Sequence, residues 1–570
     1  MKKKLLSLAL VLALLFGLCG TALAAAPQTR AQPEPIILIP GYTAVQLFEH
    51  PVSEDRALVW SLDFSAVGNE ILKELPGLLT GAVLYPLTSK VLTQAFARAA
   101  ERVLGGFTVG ADGKPLHDVG PFPGTAAQYS LEWLRANHPE LLHLKAFYEN
   151  FEAEVPADRI FIFQYDWRNP SVQTAKRLRA FIKEVKAVTG AEKVRLFGSS
   201  YGGQVCGAYL YDYAKDLDVR KVVLEFPAFG GSSAIADLLL GKEVLIQVET
   251  LTRFIQSYVG TEIELDSLTK WIPTKPLGGL LRDLLLAGFL SVVKTWGSLW
   301  DLLPADQYDA TKAAVLAPGE HYAWETASDR LHHEIMPRTG ETLRNAQKKY
   351  GIAVRVVANS GSPHLLGDYG INSDGLLDVR YTTGAQTLPL GEHGIAQSGA
   401  VCANPAHSHL SPGQDIDASA AWLPENTWFV QGQYHGASYK DPYALALETE
   451  LVLCDDLNTV RDDPDYPQFG ACRQPSENIA FAADLAAGTV QVENLSELYD
   501  LQVLSITVPG LFLPTKAVPS QKIAPGASVA IAIGGTHTLQ AGAYVPVTVR
   551  YLQYTEGVPV PKSKVFDLTA

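Results

Sequence analysis

Residues 193–203 read Lys-Val-Arg-Leu-Phe-Gly-Ser-Ser-Tyr-Gly-Gly (KVRLFGSSYGG). A short apolar run stops at Gly198, and a small-residue stretch, Gly202-Gly203-Gln204-Val205-Cys206-Gly207, continues from it. The pattern is that of a buried strand, a tight turn and a helix, with Ser200 at the turn. G-x-S-x-G by itself is common enough by chance to mean little. Its place between a strand and a helix gives it weight, because there the glycines let neighbouring backbone approach and the serine stands at the sheet edge. Ser200 is the candidate nucleophile; the competing reading is a turn serine without chemistry.

Working outward, Ile36–Ile39 (IILI), Arg159–Gln164 (RIFIFQ), Lys221–Phe226 (KVVLEF) and Ile352–Ala358 (IAVRVVA) have the same style of short, nearly continuous apolar strand. Helical patterns at Thr174–Val188 and Gln204–Asp216 fall between them. That alternation predicts an α/β protein with a mostly parallel sheet covered on both faces. It is interrupted over 233–345, which is helical in pattern and very apolar around LLRDLLLAGFLSVVKTWGSLWDLL (280–303). A buried helical hairpin is one reading. The preferred one is a cap over the site, with Phe289, Trp296, Leu299 and Trp300 turned to lipid or acyl chain. From about Ser476 the strands alternate apolar and polar residues between Gly- and Pro-rich turns, predicting a small β-sandwich.

A serine hydroxyl needs a histidine base, itself oriented by a carboxylate, and in this kind of fold the chain order is Ser, acid, His. Asp374, in Asn372-Ser373-Asp374-Gly375, follows the strand near Val356 and is preferred as the acid. Asp378 is the competitor, and an acid of a local turn is the plain alternative. Of the histidines that follow, His435 stands on the loop after the apparent last core strand, Thr427–Gln431 (TWFVQ), and is the candidate base. His393 is left without a role, and His407 and His409, in a Pro- and Ser-rich excursion, are expected to face solvent. The oxyanion is expected to meet two backbone amides, those of Tyr42 and Tyr201.

These pieces resemble the lecithin:cholesterol acyltransferase-like family, which includes lysosomal phospholipases and phospholipid:diacylglycerol acyltransferases. The resemblance rests on PIILIPG (35–41), Gln46-Leu47, YDWR (165–168), the elbow 198–202, FGGS (229–232), Ser373-Asp374-Gly375 and the position of His435. It covers roughly residues 33–455. Ser199 and Tyr201 around the nucleophile and Leu376-Leu377 after the acid depart from the family pattern. The resemblance implies an α/β-hydrolase that forms an acyl-enzyme from a lipid ester and passes the acyl group to water or an alcohol. Asp166 and Arg168 are expected to form a structural ion pair.

The 570 residues suggest several domains: a leader (1–24), two halves of a hydrolase core (33–232 and 346–475), the cap (233–345) and the β-sandwich (476–570). The leader has three lysines before an apolar run and ends in a small-x-small site, the layout of an export signal. A secreted or extracytoplasmic protein is therefore expected, with attachment to the cell envelope as the alternative. Removing the leader, which holds no acid, takes the formal charge from −14 to −17. Such a balance argues against nucleic acid as partner and leaves apolar contact through the cap as the route to a membrane or lipoprotein-like surface. Mature cysteines are Cys206, Cys402, Cys454 and Cys472; the last two would close a short disulfide loop. No C-x-x-C occurs, so neither metal nor cofactor is expected. The reading is an exported serine esterase acting on long-chain phospholipid or neutral-lipid esters, with O-acyl transfer open. The alternatives are a short-chain or polymer esterase and a catalytically dead lipid-binding module.

Overall fold

The computed structural model describes residues 32–60, 105–142, 145–240, 292–362, 371–399, 407–436 and 441–471, with a few single positions between them. Beyond these it describes 479–484, 489–494, 500–507, 522–532, 544–555 and 558–569. The leader 1–24, Phe289, Cys472 and most of the apolar stretch 241–291 lie outside the described residues.

Seven parallel strands form the central sheet: β1 (Ile36–Ile39), β2 (Ile160–Ile162), β3 (Val194–Ser199), β4 (Val219–Glu225), β5 (Ala353–Ser360), β6 (Thr427–Gln431) and β7 (Phe469–Ala471). Their order is β7-β6-β5-β4-β3-β1-β2, with every pairing parallel. Every residue of β1 and β2 is buried, as are all but the first of β5. Such continuous burial requires helices on both faces. One set contains α1 (Ser171–Thr189), α2 (Tyr201–Tyr213) and α3 (Thr339–Lys348), with α2 in contact with the other two. The other contains the helix Lys145–Glu152 and α4 (Pro442–Leu453), which packs on β4 and β3.

The apolar faces explain the cover. Leu178, Ile182 and Val185 recur at helical spacing along α1 and are all fully buried. Gly190 ends that helix in the left-handed region, φ 68°, where a side chain would be strained. Residues 57–60, 47–49 and 119–121 form a separate small antiparallel sheet.

The stretch 233–345 departs from the expectation of a cap in two ways. Residues 325–348 form a nearly continuous helical run whose Leu331, Ile335, Leu343 and Ala346 join the main hydrophobic core. This run is the crossover helix between β4 and β5. Trp296 and Trp300 also turn inward instead of facing lipid or acyl chain. Trp296 is 4% exposed, meets Trp167 edge-on at 5.1 Å and donates its indole N–H to Phe107 O. Trp300 is fully buried, stacks on Trp324 at 4.8 Å and donates to Lys294 O. A buried indole with its N–H satisfied is a packing element.

In the C-terminal stretch, β8 (Ile479–Asp484), β9 (Thr489–Asn494) and β11 (Ser528–Ala532) form one antiparallel sheet. β10 (Asp500–Thr507), β12 (Tyr544–Thr555) and β13 (Val558–Thr569) form another. Val490, Val492, Leu501, Val503, Ile531 and Val549 from the two sheets share one buried cluster. No helix among the described residues is long and apolar enough to cross a membrane.

Candidate active site

Ser200 ends β3 and opens α2 with φ 54° and ψ −118°, a conformation that costs a non-glycine residue of order 1–3 kcal/mol. The surrounding glycines make this turn sterically possible. A Cβ on Gly202 would stand 2.1 Å from Ile39 O, and one on Gly198 would stand 2.7 Å from Cys206 Sγ. Close approach of β1, β3 and α2 therefore excludes side chains at both positions. The Ser200 amide donates to Glu225 O, tying the elbow to the end of β4.

His435 stands on the loop after β6, with Nε2 2.8 Å from Ser200 Oγ and Nδ1 2.7 Å from Asp374 Oδ2. Its backbone amide donates to Asp374 O at 2.8 Å, so the two loops are also joined through main chain. A carboxylate beside Nδ1 fixes the tautomer: Nδ1 carries the proton and Nε2 presents its lone pair to the serine hydroxyl. The His435 ring also packs against Phe226 at 4.6 Å.

Asp374 performs two tasks at once. Its Oδ1 accepts the amides of Leu376 and Leu377, at 2.9 and 2.7 Å, as an acid of a local turn does. Its Oδ2 remains for the imidazole, so the turn role and the relay role are compatible. Asp378, fully buried, does not join the relay. It accepts from Ser233 Oγ at 2.9 Å and lies near Arg380 and His364.

The turn after β1 lies over the serine, since a Cβ on Gly41 would stand 3.5 Å from Ser200 Oγ. Residues of the YDWR segment hold this turn. Tyr165 donates its hydroxyl to Pro40 O at 2.5 Å, and Trp167 donates its indole N–H to Val45 O at 3.0 Å. The Asp166–Arg168 pair is buried, at 2.7 Å, and Arg168 donates to Phe107 O and Val119 O as well. Tyr42 meets Trp167 and Tyr201 edge-on. The Tyr201 amide, first of α2, is among those a helix leaves without an internal acceptor.

Three buried acids near the site escaped the sequence reading. Asp301 joins the 297–303 segment to the elbow: it accepts from the Ser171 amide, from Tyr201 Oη and from Ser328 Oγ. Burial pushes its carboxyl up to about 6. Glu225 at the end of β4 and Glu448 on α4 are fully buried neighbours behind His435. The available signal was an acid inside an otherwise apolar strand (KVVLEF) and an apolar helix (ALALETELVL).

Burial pushes the Glu225 carboxyl from 4.5 up to about 7, against opposing bonds from Ser199 and Ser438. Glu448 is raised too, by burial and by the adjacent Glu225. Between the unfolded and folded values the native state holds more protons than the unfolded one, so stability falls as pH rises. The contribution is complete below about pH 4.5 and is lost as pH passes about 7. Glu225→Gln should therefore flatten the pH dependence of stability across this window. Urea midpoints at about pH 5 and about pH 8 check it, and an unchanged difference between the two would rule the acid out as the cause.

No protein-family model and no curated protein matches the chain in sequence. Solved structures similar to it include phospholipase PlaB from Legionella pneumophila, at 10% identity and TM-score 0.27 over 75% of this chain and 89% of that one. The Tle4–Tli4 complex gives a chain at 15% identity and TM-score 0.31, covering 74% of this chain and 98% of its own. A monoacylglycerol lipase from Paleococcus ferrophilus is similar at 13% identity and TM-score 0.24, over 54% and 87%. The fold stands on this chain's own strand order and elbow. Seven parallel strands, a strained serine between β3 and α2, and a histidine on the loop after β6 make it an α/β-hydrolase fold.

Proposed function

We propose that the protein is an exported serine ester hydrolase that acts on long-chain acyl esters, of phospholipid or neutral lipid. The observation that carries the chemistry is the hydrogen-bonded series Ser200–His435–Asp374 at the C-terminal edge of a parallel sheet. In this reading Ser200 Oγ attacks the ester carbonyl while His435 Nε2 takes its proton. Asp374 stabilises the imidazolium, and the amides of Tyr42 and Tyr201 receive the oxyanion. Collapse of the tetrahedral intermediate expels the alcohol, which takes the proton from His435 and leaves an acyl-serine. Water, or a second alcohol in an acyl transfer, then releases the acid or new ester through the same groups.

The lipid assignment draws on the motif pattern and on the apolar stretch 280–290, with Phe289. In this reading that stretch of sequence meets an acyl chain or a membrane or lipoprotein-like surface. The resemblance to lecithin:cholesterol acyltransferase-like enzymes, and the export implied by residues 1–24, belong to the same proposal. Labelling by a serine-directed fluorophosphonate, followed by rates on esters of increasing acyl length, tests it. Labelling at Ser200 with rates rising beyond about six carbons is expected. A profile peaking below that length would make it a short-chain or polymer esterase, and absence of labelling would point to a dead scaffold.

A further inference from the structure

His409 was expected in solvent, and the structure buries it: it is 2% exposed. It stands with Cys402 and His407 in a group whose potential ligand atoms all lie within 4.8 Å of one another. The two imidazoles meet edge-on at 4.7 Å. Glu425, just before β6, adds a fourth donor: its Oε1 is 3.3 Å from His409 Nε2 and 3.8 Å from Cys402 Sγ. We propose that Cys402, His407, His409 and Glu425 form a structural metal site, of the type that holds zinc, pinning the loop 388–424 to the start of β6.

Four details of the surroundings point to a cation. Gln468 donates its amide N–H groups to Pro424 O and Thr427 O, which leaves its Oε1 turned to His409 Nδ1 at 2.8 Å. An acceptor there requires Nδ1–H, which leaves Nε2 as the ring atom turned to the Glu425 carboxylate oxygen. At 3.3 Å that contact is longer than the roughly 2.7–2.9 Å of a charge-assisted hydrogen bond and matches the spacing of two ligand atoms on one metal ion. His407 Nδ1 is buried without a hydrogen-bond partner, a costly arrangement for a nitrogen that ligation would satisfy. The Asn404 amide donates to Cys402 Sγ at 3.4 Å, and Arg461 lies 3.7 Å from the same sulfur. Both are N–H donors to the sulfur, contacts of the kind that hold a ligating sulfur in position. Arg461 also holds Glu425 Oε2 at 3.0 Å, leaving Oε1 for the cluster.

One sulfur, two imidazoles and one carboxylate suit tetrahedral zinc, whose ligand atoms stand roughly 3.3–3.7 Å apart at bond lengths of about 2.0–2.3 Å. Carboxylate–imidazole and amide contacts of the Gln468 kind are the usual outer support of such ligands. Four protein ligands close the coordination sphere, so the site is structural, without an open position for substrate. Its place agrees, because Glu425 precedes β6 whereas His435 follows it, with a strand of roughly 13 Å between them. The absence of C-x-x-C hid the site, since its ligands are spaced 402, 407, 409 and 425 and closed by tertiary folding.

The inference does not depend on the proposed reaction, and its test reads metal. Full-length protein, stripped with a chelator, is titrated with cobalt(II) and then zinc(II). One equivalent of cobalt should bind with a thiolate-to-metal charge-transfer band and the visible bands of a tetrahedral ion, both removed by zinc. Cys402→Ser should abolish the charge-transfer band and weaken zinc binding about 100-fold or more, and Cys454→Ser should leave both unchanged. His407→Ala, at a half-buried position, gives a second variant whose zinc affinity should fall while the sulfur band persists. No stoichiometric binding by the wild type, or a band that survives Cys402→Ser, would overturn the site.

Discussion

Ser200→Ala is expected to lower kcat for ester hydrolysis by about 10⁴-fold or more, with folding unchanged to within about 1 kcal/mol. The size follows from the loss of the group that forms the acyl-enzyme. The hydroxyl is 2.8 Å from His435 Nε2, and without it the imidazole has no proton to take. The small effect on stability follows because the elbow is held by backbone, through the Ser200 amide on Glu225 O and the close approach of Gly202 to Ile39. Ser200→Gly makes a sharper pair. Glycine tolerates φ 54° and ψ −118°, so that variant should be equally inactive yet more stable than Ser200→Ala by about 1 kcal/mol. Chemical denaturation of both, with initial rates on one ester, reads the two effects separately. Residual activity above about one part in 10³ in pure Ser200→Ala would remove Ser200 as nucleophile.

The sheet was legible in the sequence because its strands are buried on both sides. IILI, RIFIFQ, KVRLF, KVVLEF, IAVRVVA and TWFVQ are nearly continuous apolar runs, and all six lie in the sheet. Phe469–Ala471 is three residues at the sheet edge, with a glycine in the middle, and has no periodicity to detect. Hydrophobic pattern also says that a helix is covered without saying by what. Residues 325–348 and the two tryptophans therefore read as cap in preference to buried core, and contact with α2 and Trp167 decides for core.

The chemistry followed the same division. Ser200 announces itself by local spacing, and Asp374 and His435 by chain order and loop position. Buried acids and the 402–425 cluster announce themselves only through partners distant in sequence. Glu225 needs Glu448, and His409 needs Gln468, before either position carries meaning. A Pro- and Ser-rich loop reads as solvent-facing by composition, and the fold turns it inward.

Asp374→Asn is expected to cost about 10⁴-fold in kcat while its neighbour Asp378→Asn leaves kcat within about tenfold. Both acids are buried, both follow β5 and only four positions separate them, so composition cannot choose between them. Geometry does. Asp374 Oδ2 receives His435 Nδ1–H at 2.7 Å, whereas the partners of Asp378 are Ser233, Arg380 and His364. In Asp374→Asn the oxygen should remain with the Leu376 and Leu377 amides, which already occupy Oδ1. The NH₂ group then falls opposite Nδ1 and demands an acceptor there. That moves the ring proton to Nε2, and a protonated Nε2 cannot take the Ser200 proton. The loss should therefore lie in kcat with KM little changed, because no substrate contact is removed. Asp378→Asn removes a charge from the network beside Ser233 and should lower stability by about 1–3 kcal/mol instead. Steady-state kinetics and denaturant midpoints on the two variants make the comparison. If Asp378→Asn were the inactive one, the acid would have to be reassigned.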